Sequence, residues 1–231
     1  SLDQASRAAD RPQPRLVAVS KFQAVTAVAE LADAWRSSYP GQAPAFGENY
    51  VQEAQAKITA LADSSLEWHL VGHLQSNKAA QAANLFDWIQ TVDRPKLVRA
   101  LAAARDPSRP ALNVLLQVNI DAEPDKHGCA IDAVEPLAAM VAAEPRLALR
   151  GLMAIPAPFV DAARRRDAFQ RMRALFDALH VAHPQVDTLS MGMSDDAALA
   201  VAEGATMVRI GTALFGARPA PPAQATSATT Q

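Results

Sequence analysis

Strand-like and helix-like segments alternate along this chain without a break. "LVAVS" is followed by the alanine-rich "AVTAVAELADAWRSS", "APAFGE" by "YVQEAQAKITALA", and "LEWHLVG" by "NKAAQAANLF". "DWIQTV" precedes "PKLVRALAAA", "LNVLLQVNI" precedes "AVEPLAAMVAAE", and "LRGLMAIP" precedes "DAFQRMRALFDALHVAH". "DTLSMG" precedes "DDAALAVAEG", and "TMVRIG" comes last. Eight strands joined through helices by short connections require parallel pairing with crossover helices. Eight such units in about 200–250 residues make a closed (β/α)8 barrel, the TIM-barrel architecture. An open doubly wound sheet is the alternative, but it usually carries a Gly-rich first turn, and "SKFQAV" has none.

The chain has 231 residues, half of them apolar, so one large domain with a sizeable core is expected. Residues 1–14 read as a polar, flexible lead-in, 15–216 as the barrel, and 217–231 as a disordered tail rich in Pro, Ala, Ser and Thr. A formal net charge of −2 gives no general case for nucleic acid or an anionic membrane. The best apolar run, "ALNVLLQVNI", is short and interrupted by Asn113, Gln117 and Asn119. No secretory signal is visible, and the single cysteine, Cys129, suits a reducing cytoplasm.

Alternation splits each strand into two faces. In the fifth strand Val114, Leu116 and Val118 share one face, and Asn113, Leu115, Gln117 and Asn119 the other. In the third, Trp68 and Leu70 oppose Glu67, His69, Val71 and His73. The apolar faces belong against the helices and the polar ones inside the barrel. Unpaired inward groups would each cost about 1–3 kcal/mol, so their clustering points to pairing with one another or to a lined site near the mouth.

Active groups of this architecture sit at the C-terminal strand ends. Lys21, Asn49, His73, Asp93, Asn119, Ser194 and Gly211 all fall there. Lys21 follows Val17 and Val19 on one face, and a lysine rising from an apolar floor loses its proton more readily than one in water. A neutral amine can form a Schiff base with an aldehyde. The loops after strands seven and eight are the usual phosphate site, and Ser194, Gly211 and Thr212 lie in them. Ser194 equally suits an ordinary N-cap, and Gly211 a tight turn. Asp195 and Asp196 oppose a phosphate unless their carboxylates turn away. Arg209 shares Gly211's face but lies deeper; it suits the ring of a phosphorylated aldehyde or an ion pair inside the barrel, with Glu67 as the candidate partner.

"LVAVSK", "FGENYVQEAQAK", "EWHLVGHLQSNK", "VNI" with "DKHG", "GLMAIP", "LSMGMSDD" and "MVRIGTALFG" run in order from about Leu16 to Gly216. In these segments the chain resembles the pyridoxal phosphate homeostasis protein family, single-domain relatives of the alanine racemase barrel. The family usually has a further helix before the first strand, which the polar lead-in here shortens. The resemblance implies pyridoxal 5'-phosphate as cofactor, carried on Lys21 as a Schiff base. It implies phosphate contacts from Ser194, Gly211 and Thr212, Arg209 near the pyridine nitrogen, Asn49 near the ring and Met191 lining the pocket. Lys126 matches a family lysine, with a possible second-site or relay role. It further implies a part in intracellular vitamin B6 and amino-acid homeostasis, with B6 vitamers and apo-enzymes as partners.

An arginine beside the pyridine nitrogen disfavours its protonation and weakens the ring as an electron sink. The racemases add a β-rich domain and a proton-moving tyrosine; here the chain runs into a tail after strand eight, and neither Tyr39 nor Tyr50 is well placed. A monomeric, non-catalytic carrier or regulator is therefore expected, with a low-activity amino-acid racemase or lyase as the alternative. A barrel holding some other phosphorylated ligand is a third reading. No metal site is expected. His69 and His73 lie on a strand rather than a helix, Asp125, His127 and Cys129 read as a solvated loop, and "MGMSDD" lacks the second glycine of a nucleophile elbow.

Overall fold

The computed structural model describes residues 2–157 and 161–216. Its strands are β1 (Arg15–Val19), β2 (Ala45–Glu48), β3 (Glu67–Leu70), β4 (Trp88–Val92), β5 (Leu112–Val118), β6 (Leu147–Ala154), β7 (Thr188–Ser190) and β8 (Met207–Ile210). They pair in parallel, in sequence order, and close through β8 and β1 into a barrel. The helices are α1 (Leu2–Ala8), α2 (Val25–Ser38), α3 (Val51–Leu61), α4 (Ala79–Leu85), α5 (Pro95–Ala104), α6 (Val134–Ala142), α7 (Ala162–Ala182), α8 (Ala197–Ala202) and α9 (Thr212–Phe215). The eight strand segments expected from the alternation are the eight strands observed, and the open-sheet alternative falls.

The lead-in differs from expectation. Leu2–Ala8 form a helix that packs on α8, with Leu2 and Ala5 against the core, Ser6 buried, and Arg7 paired to Asp3 one turn away. Small and apolar residues at spacings of three and four make a narrow stripe sufficient to dock a two-turn helix, although the segment is polar on average. The proposed tail, 217–231, lies outside the described residues.

Two apolar layers hold the barrel. The larger lies between strands and helices and includes Trp68, Leu70, Val114, Leu116 and Val118. The smaller fills the barrel axis with Val17, Ala45, Trp88, Leu115, Met153 and Met207. The face assignments for strands three and five therefore hold. Trp88 closes the lower end, with His69 stacked on it at 5.3 Å and the guanidinium carbons of Arg15 and Arg150 at 5.4 and 5.0 Å from its ring. The polar interior above it positions the site.

Candidate functional site

A cleft of about 240 Å³ opens at the C-terminal end of the barrel. Its walls are Val19, Lys21 and Gln23 after β1, Met193 to Asp195 after β7, and Arg209, Gly211, Thr212 and Gly216 around the end of β8. Five of the residues singled out in the sequence, Lys21, Ser194, Arg209, Gly211 and Thr212, thus share one cavity. A larger cleft lies at the other end, among Leu2, Arg15, Leu16 and Trp35, on the face that serves stability in such barrels.

Lys21 is half-buried and stands between two pinned neighbours. The Ser20 carbonyl accepts a hydrogen bond from Lys57 Nζ at 2.6 Å. The Phe22 N–H donates to Glu53 Oε1 at 2.5 Å, and Lys57 Nζ also reaches that oxygen and Glu48 Oε1, each at 2.7 Å. Ser20 Oγ donates to the same Glu48 oxygen at 2.6 Å. Burial pushes the Glu48 carboxyl above its ordinary value, against the hydrogen bonds from Lys57 and Ser20 that favour its charge. Phe22 has φ of 63°, a left-handed conformation costly for a bulky residue, so the turn holding Lys21 is imposed by its surroundings. The brace comes from "ENYVQEAQAK". Glu53 and Lys57 are one helical turn apart, which the spacing could have revealed; their grip on the Lys21 turn could not be seen there.

Arg209 lies at the cleft floor, buried. Its guanidinium donates to Ser190 Oγ at 2.6 Å and to the Ala154 carbonyl at 2.8 Å. Burial draws it down to about 10, with Asp196 pulling the other way, so it stays cationic at neutral pH. The alternative reading, an ion pair with Glu67, is not what the fold makes: Glu67 pairs with Arg15 and His69. Three neutral side chains connect Arg209 and Glu67 instead. Ser190 Oγ donates to Gln90 Oε1 at 2.7 Å, Gln90 Nε2 lies 2.9 Å from His69 Nδ1, and His69 Nε2 lies 2.6 Å from Glu67 Oε1. Because the Gln90 amide can only donate to Nδ1, His69 carries its proton on Nε2 and gives it to Glu67. Every bond then runs in one direction, from guanidinium to carboxylate. Burial keeps His69 below the ordinary imidazole value, although Glu67 opposes this. Burial also works to raise Glu67, but the His69 hydrogen bond and the charge of Arg15 prevail and hold it at about 2. Alternation along β3 places His69 inside the barrel; Gln90 and Ser190 are recognisable only as polar side chains at inward positions of buried strands.

The anion side of the cleft is made by two chain turns. Ser194 is exposed and makes no cap; the residue that begins α8 is Asp196. The Asp196 carboxylate turns back to accept the Met193 N–H at 2.6 Å and is not part of the cleft lining, although its charge still reaches Arg209, while Asp195 stands on the cleft wall. Gly211 has φ of −114°, so no left-handed turn demands a glycine there. A Cβ would stand 3.2 Å from the Val19 carbonyl oxygen, so the glycine serves close approach of β8 to the strand that carries Lys21. The first N–H groups of α9 have no intrahelical acceptor.

The remaining predicted residues lie elsewhere. Met191 is fully buried in the outer core rather than in the cleft, where Met193 takes its place. Asn49 lines a neighbouring cleft with Tyr50, Gly72 and His73. Lys126 pairs with Glu123 at 2.6 Å in the loop after β5. His69 and His73 are separated, one inside the barrel and one at its rim. The His73 ring stacks on His127 at 3.6 Å between centroids, beside Asp93. Burial and the adjacent His127 lower His73 from its ordinary value, against the pull of Asp93.

The alanine racemase N-terminal domain family matches residues 2–219. The pyridoxal phosphate homeostasis protein of Escherichia coli K12 is 48% identical over 206 residues, covering 88% of this chain and 85% of that protein. Its counterpart from Pasteurella multocida is 47% identical over 224 residues, covering 94% and 93%. PipY of Synechococcus elongatus, solved without and with pyridoxal phosphate, is 36% identical; it covers 94% of this chain and 100% of its own, with TM-scores of 0.81 and 0.79. Alanine racemase of Corynebacterium glutamicum, at 19% identity and a TM-score of 0.61, shares the fold.

Proposed function

The chain belongs to the pyridoxal phosphate homeostasis protein family of alanine-racemase-type barrels, and from that premise we propose that it holds pyridoxal 5'-phosphate on Lys21 as a carrier or regulator of that cofactor. The observation that carries the reading is one cavity containing a primary amine, a buried cation and an anion-binding turn: Lys21, Arg209, and Gly211 with Thr212. That donor set fits the cofactor's aldehyde, ring and phosphate. When bound, the cofactor supplies a carbonyl that captures amines and a ring that accepts electrons.

Lys21 would hold the cofactor through its primary amine, and the α9 N–H groups, Thr212 and Ser194 would hold its phosphate. Arg209, fixed by Ser190 and Ala154, would present positive charge to the ring and disfavour protonation of its nitrogen. Asn49 and Lys126 stand outside the Lys21 cleft; we assign Asn49 to the ring's outer edge and Lys126 to a second site or relay for the cofactor.

We read the protein as non-catalytic because, of the described residues lining the cleft, the titratable ones are Lys21, Asp195 and Arg209, with no tyrosine or histidine to move a proton. Tyr50 is exposed and packs on Phe22 at 5.8 Å, and Tyr39 lines the cleft at the opposite end. Among the described residues no helix is long and apolar enough to cross a membrane. The one cysteine is buried and unpaired, which accords with the cytoplasm.

Borohydride reduction followed by peptide mass mapping tests the assignment. Label is expected on the peptide containing Lys21, and Lys21→Ala is expected to lose the cofactor's visible absorption. Label on another lysine, or persistence of that band, overturns it. Incubating the loaded protein with amino acids in heavy water tests the non-catalytic reading; brisk exchange of the α-proton would refute it.

A further inference from the structure

We propose that His73, Asp93 and His127 form a site for one divalent transition-metal ion, with Zn²⁺ as the type, on the barrel rim across from Lys21. The three residues follow β3, β4 and β5, three neighbouring strands whose C-terminal ends lie side by side. One ligand atom from each lies within 4.8 Å of the other two. Donors bound at ~2.0–2.2 Å in a tetrahedral site stand about 3.3–3.6 Å apart, so binding requires the two stacked rings to turn out of parallel and the three donors to draw together. Among the described residues, neither imidazole has a hydrogen bond through a ring nitrogen; each ring has only the other stacked upon it. Both lone-pair donors are therefore available.

The scaffold holds the donors in advance. The His127 loop is tied to the end of β5. Gln117 Nε2 donates to the His127 carbonyl at 3.2 Å, and Cys129 N–H donates to the Gln117 carbonyl at 2.8 Å. Asn119 Nδ2 donates to the Glu123 carbonyl at 2.7 Å, and Asn119 Oδ1 accepts the Glu123 N–H at 3.1 Å. Gly128 has φ of 123°, and a Cβ there would stand 2.5 Å from Asn119 N, so only glycine lets the loop fold back this closely. Asp93 is fixed by Arg94, whose Nη1 donates to Oδ1 at 2.5 Å while Nη2 holds the Leu74 carbonyl at 2.9 Å. The second carboxylate oxygen remains to bind an ion.

The donor set selects the ion. Mg²⁺ and Ca²⁺ take shells of oxygen ligands, and here a guanidinium already balances the one carboxylate. Two imidazoles and a carboxylate suit Zn²⁺, Co²⁺, Ni²⁺ or Cu²⁺. His73 and His127 are exposed, so water fills the remaining position. Of the groupings the sequence offers, His69 with His73 and Asp125 with His127 and Cys129, the fold takes one histidine from each, His73 and His127, and joins them to Asp93.

Calorimetric titration of the untagged full chain with ZnCl₂ in a non-chelating buffer tests the site, with Co²⁺ ligand-field absorption as a second readout. One equivalent is expected to bind, and Zn²⁺ is expected to raise the melting temperature. His73→Ala and His127→Ser should each weaken binding by about 10–100-fold, at least the cost of losing an outer-shell partner. Both side chains are exposed, so the variants are expected to melt like the parent without metal. Absence of one-equivalent binding in the parent overturns the proposal. So does undiminished binding, or an undiminished Zn²⁺-dependent melting shift, in the variant lacking both histidines.

Discussion

The Lys57 ammonium donates to the Ser20 carbonyl oxygen at 2.6 Å, directly beneath the residue that carries the candidate reactive amine. Lys57 is buried, and its other partners are the carboxylates of Glu48 and Glu53. The turn at Lys21 is thus held from below by one cation that satisfies a carbonyl and two acids. Replacing Lys57 by Met leaves the Glu48 carboxylate buried without its counter-ion, a change that typically costs about 3–5 kcal/mol. Urea unfolding of Lys57→Met should show a loss of that order, and the double variant Glu48→Gln, Lys57→Met should recover part of it. A midpoint unchanged from the parent would show that the brace contributes nothing.

Ser190 joins Arg209 to the barrel interior. Ser190→Ala removes the acceptor for the guanidinium and the donor for Gln90, both buried, at about 1–3 kcal/mol. Cofactor affinity should fall with stability, since Arg209 loses one of its two fixed partners. Equilibrium binding and chemical denaturation measure the two effects, and retention of both at parental values contradicts the positioning role.

Stability should depend on pH through His69. Its folded value is depressed by burial from an ordinary 6.5, so its contribution is complete above that value and is lost as pH falls below it. Glu67, held at about 2 against an ordinary 4.5, contributes fully above 4.5 and is lost only as pH falls toward 2. Between pH 8 and pH 5 His69 and the likewise lowered His73 both contribute to the decline, while Glu48, raised by burial, opposes it as its carboxyl protonates. The melting temperature should drop across that interval, and His69→Gln should flatten the drop. An equal decline in both proteins would place the titration elsewhere.

Cys129 should be inert in the folded protein. Burial, aided by the charge of Asp93, pushes its thiol up to about 11, so almost none is thiolate at pH 8. Intact mass after iodoacetamide treatment at pH 8 should show little modification without urea and complete modification with it. Rapid alkylation of the native chain would show that the loop after β5 opens readily.

The alternation of strand and helix was enough to specify a closed barrel, because parallel strands need crossovers and eight units close on themselves. The period of two along each strand was enough to place Lys21, Arg209 and Gly211 at one mouth. It also assigned Trp68 and Leu70 outward and His69 inward. These are consequences of local geometry, which a sequence carries directly. The helix Leu2–Ala8 was not legible, because a two-turn element exists by docking on α8 rather than by its own propensity.

Pairing across the barrel was decided only in three dimensions. Glu67 and Arg209 look like ion-pair partners by face alone, yet His69, Gln90 and Ser190 stand between them. Met191, two positions before the cleft-lining Met193, lies in the outer core. His73 and His127 lie 54 residues apart with Asp93 between them, yet all three meet at the ends of adjacent strands. The sequence determined the barrel and which face of each strand a residue occupies, because both follow from the repeat of the backbone. Which polar groups touch depends on stagger between strands and on how loops fold back over their ends, and those are set by packing of the whole barrel.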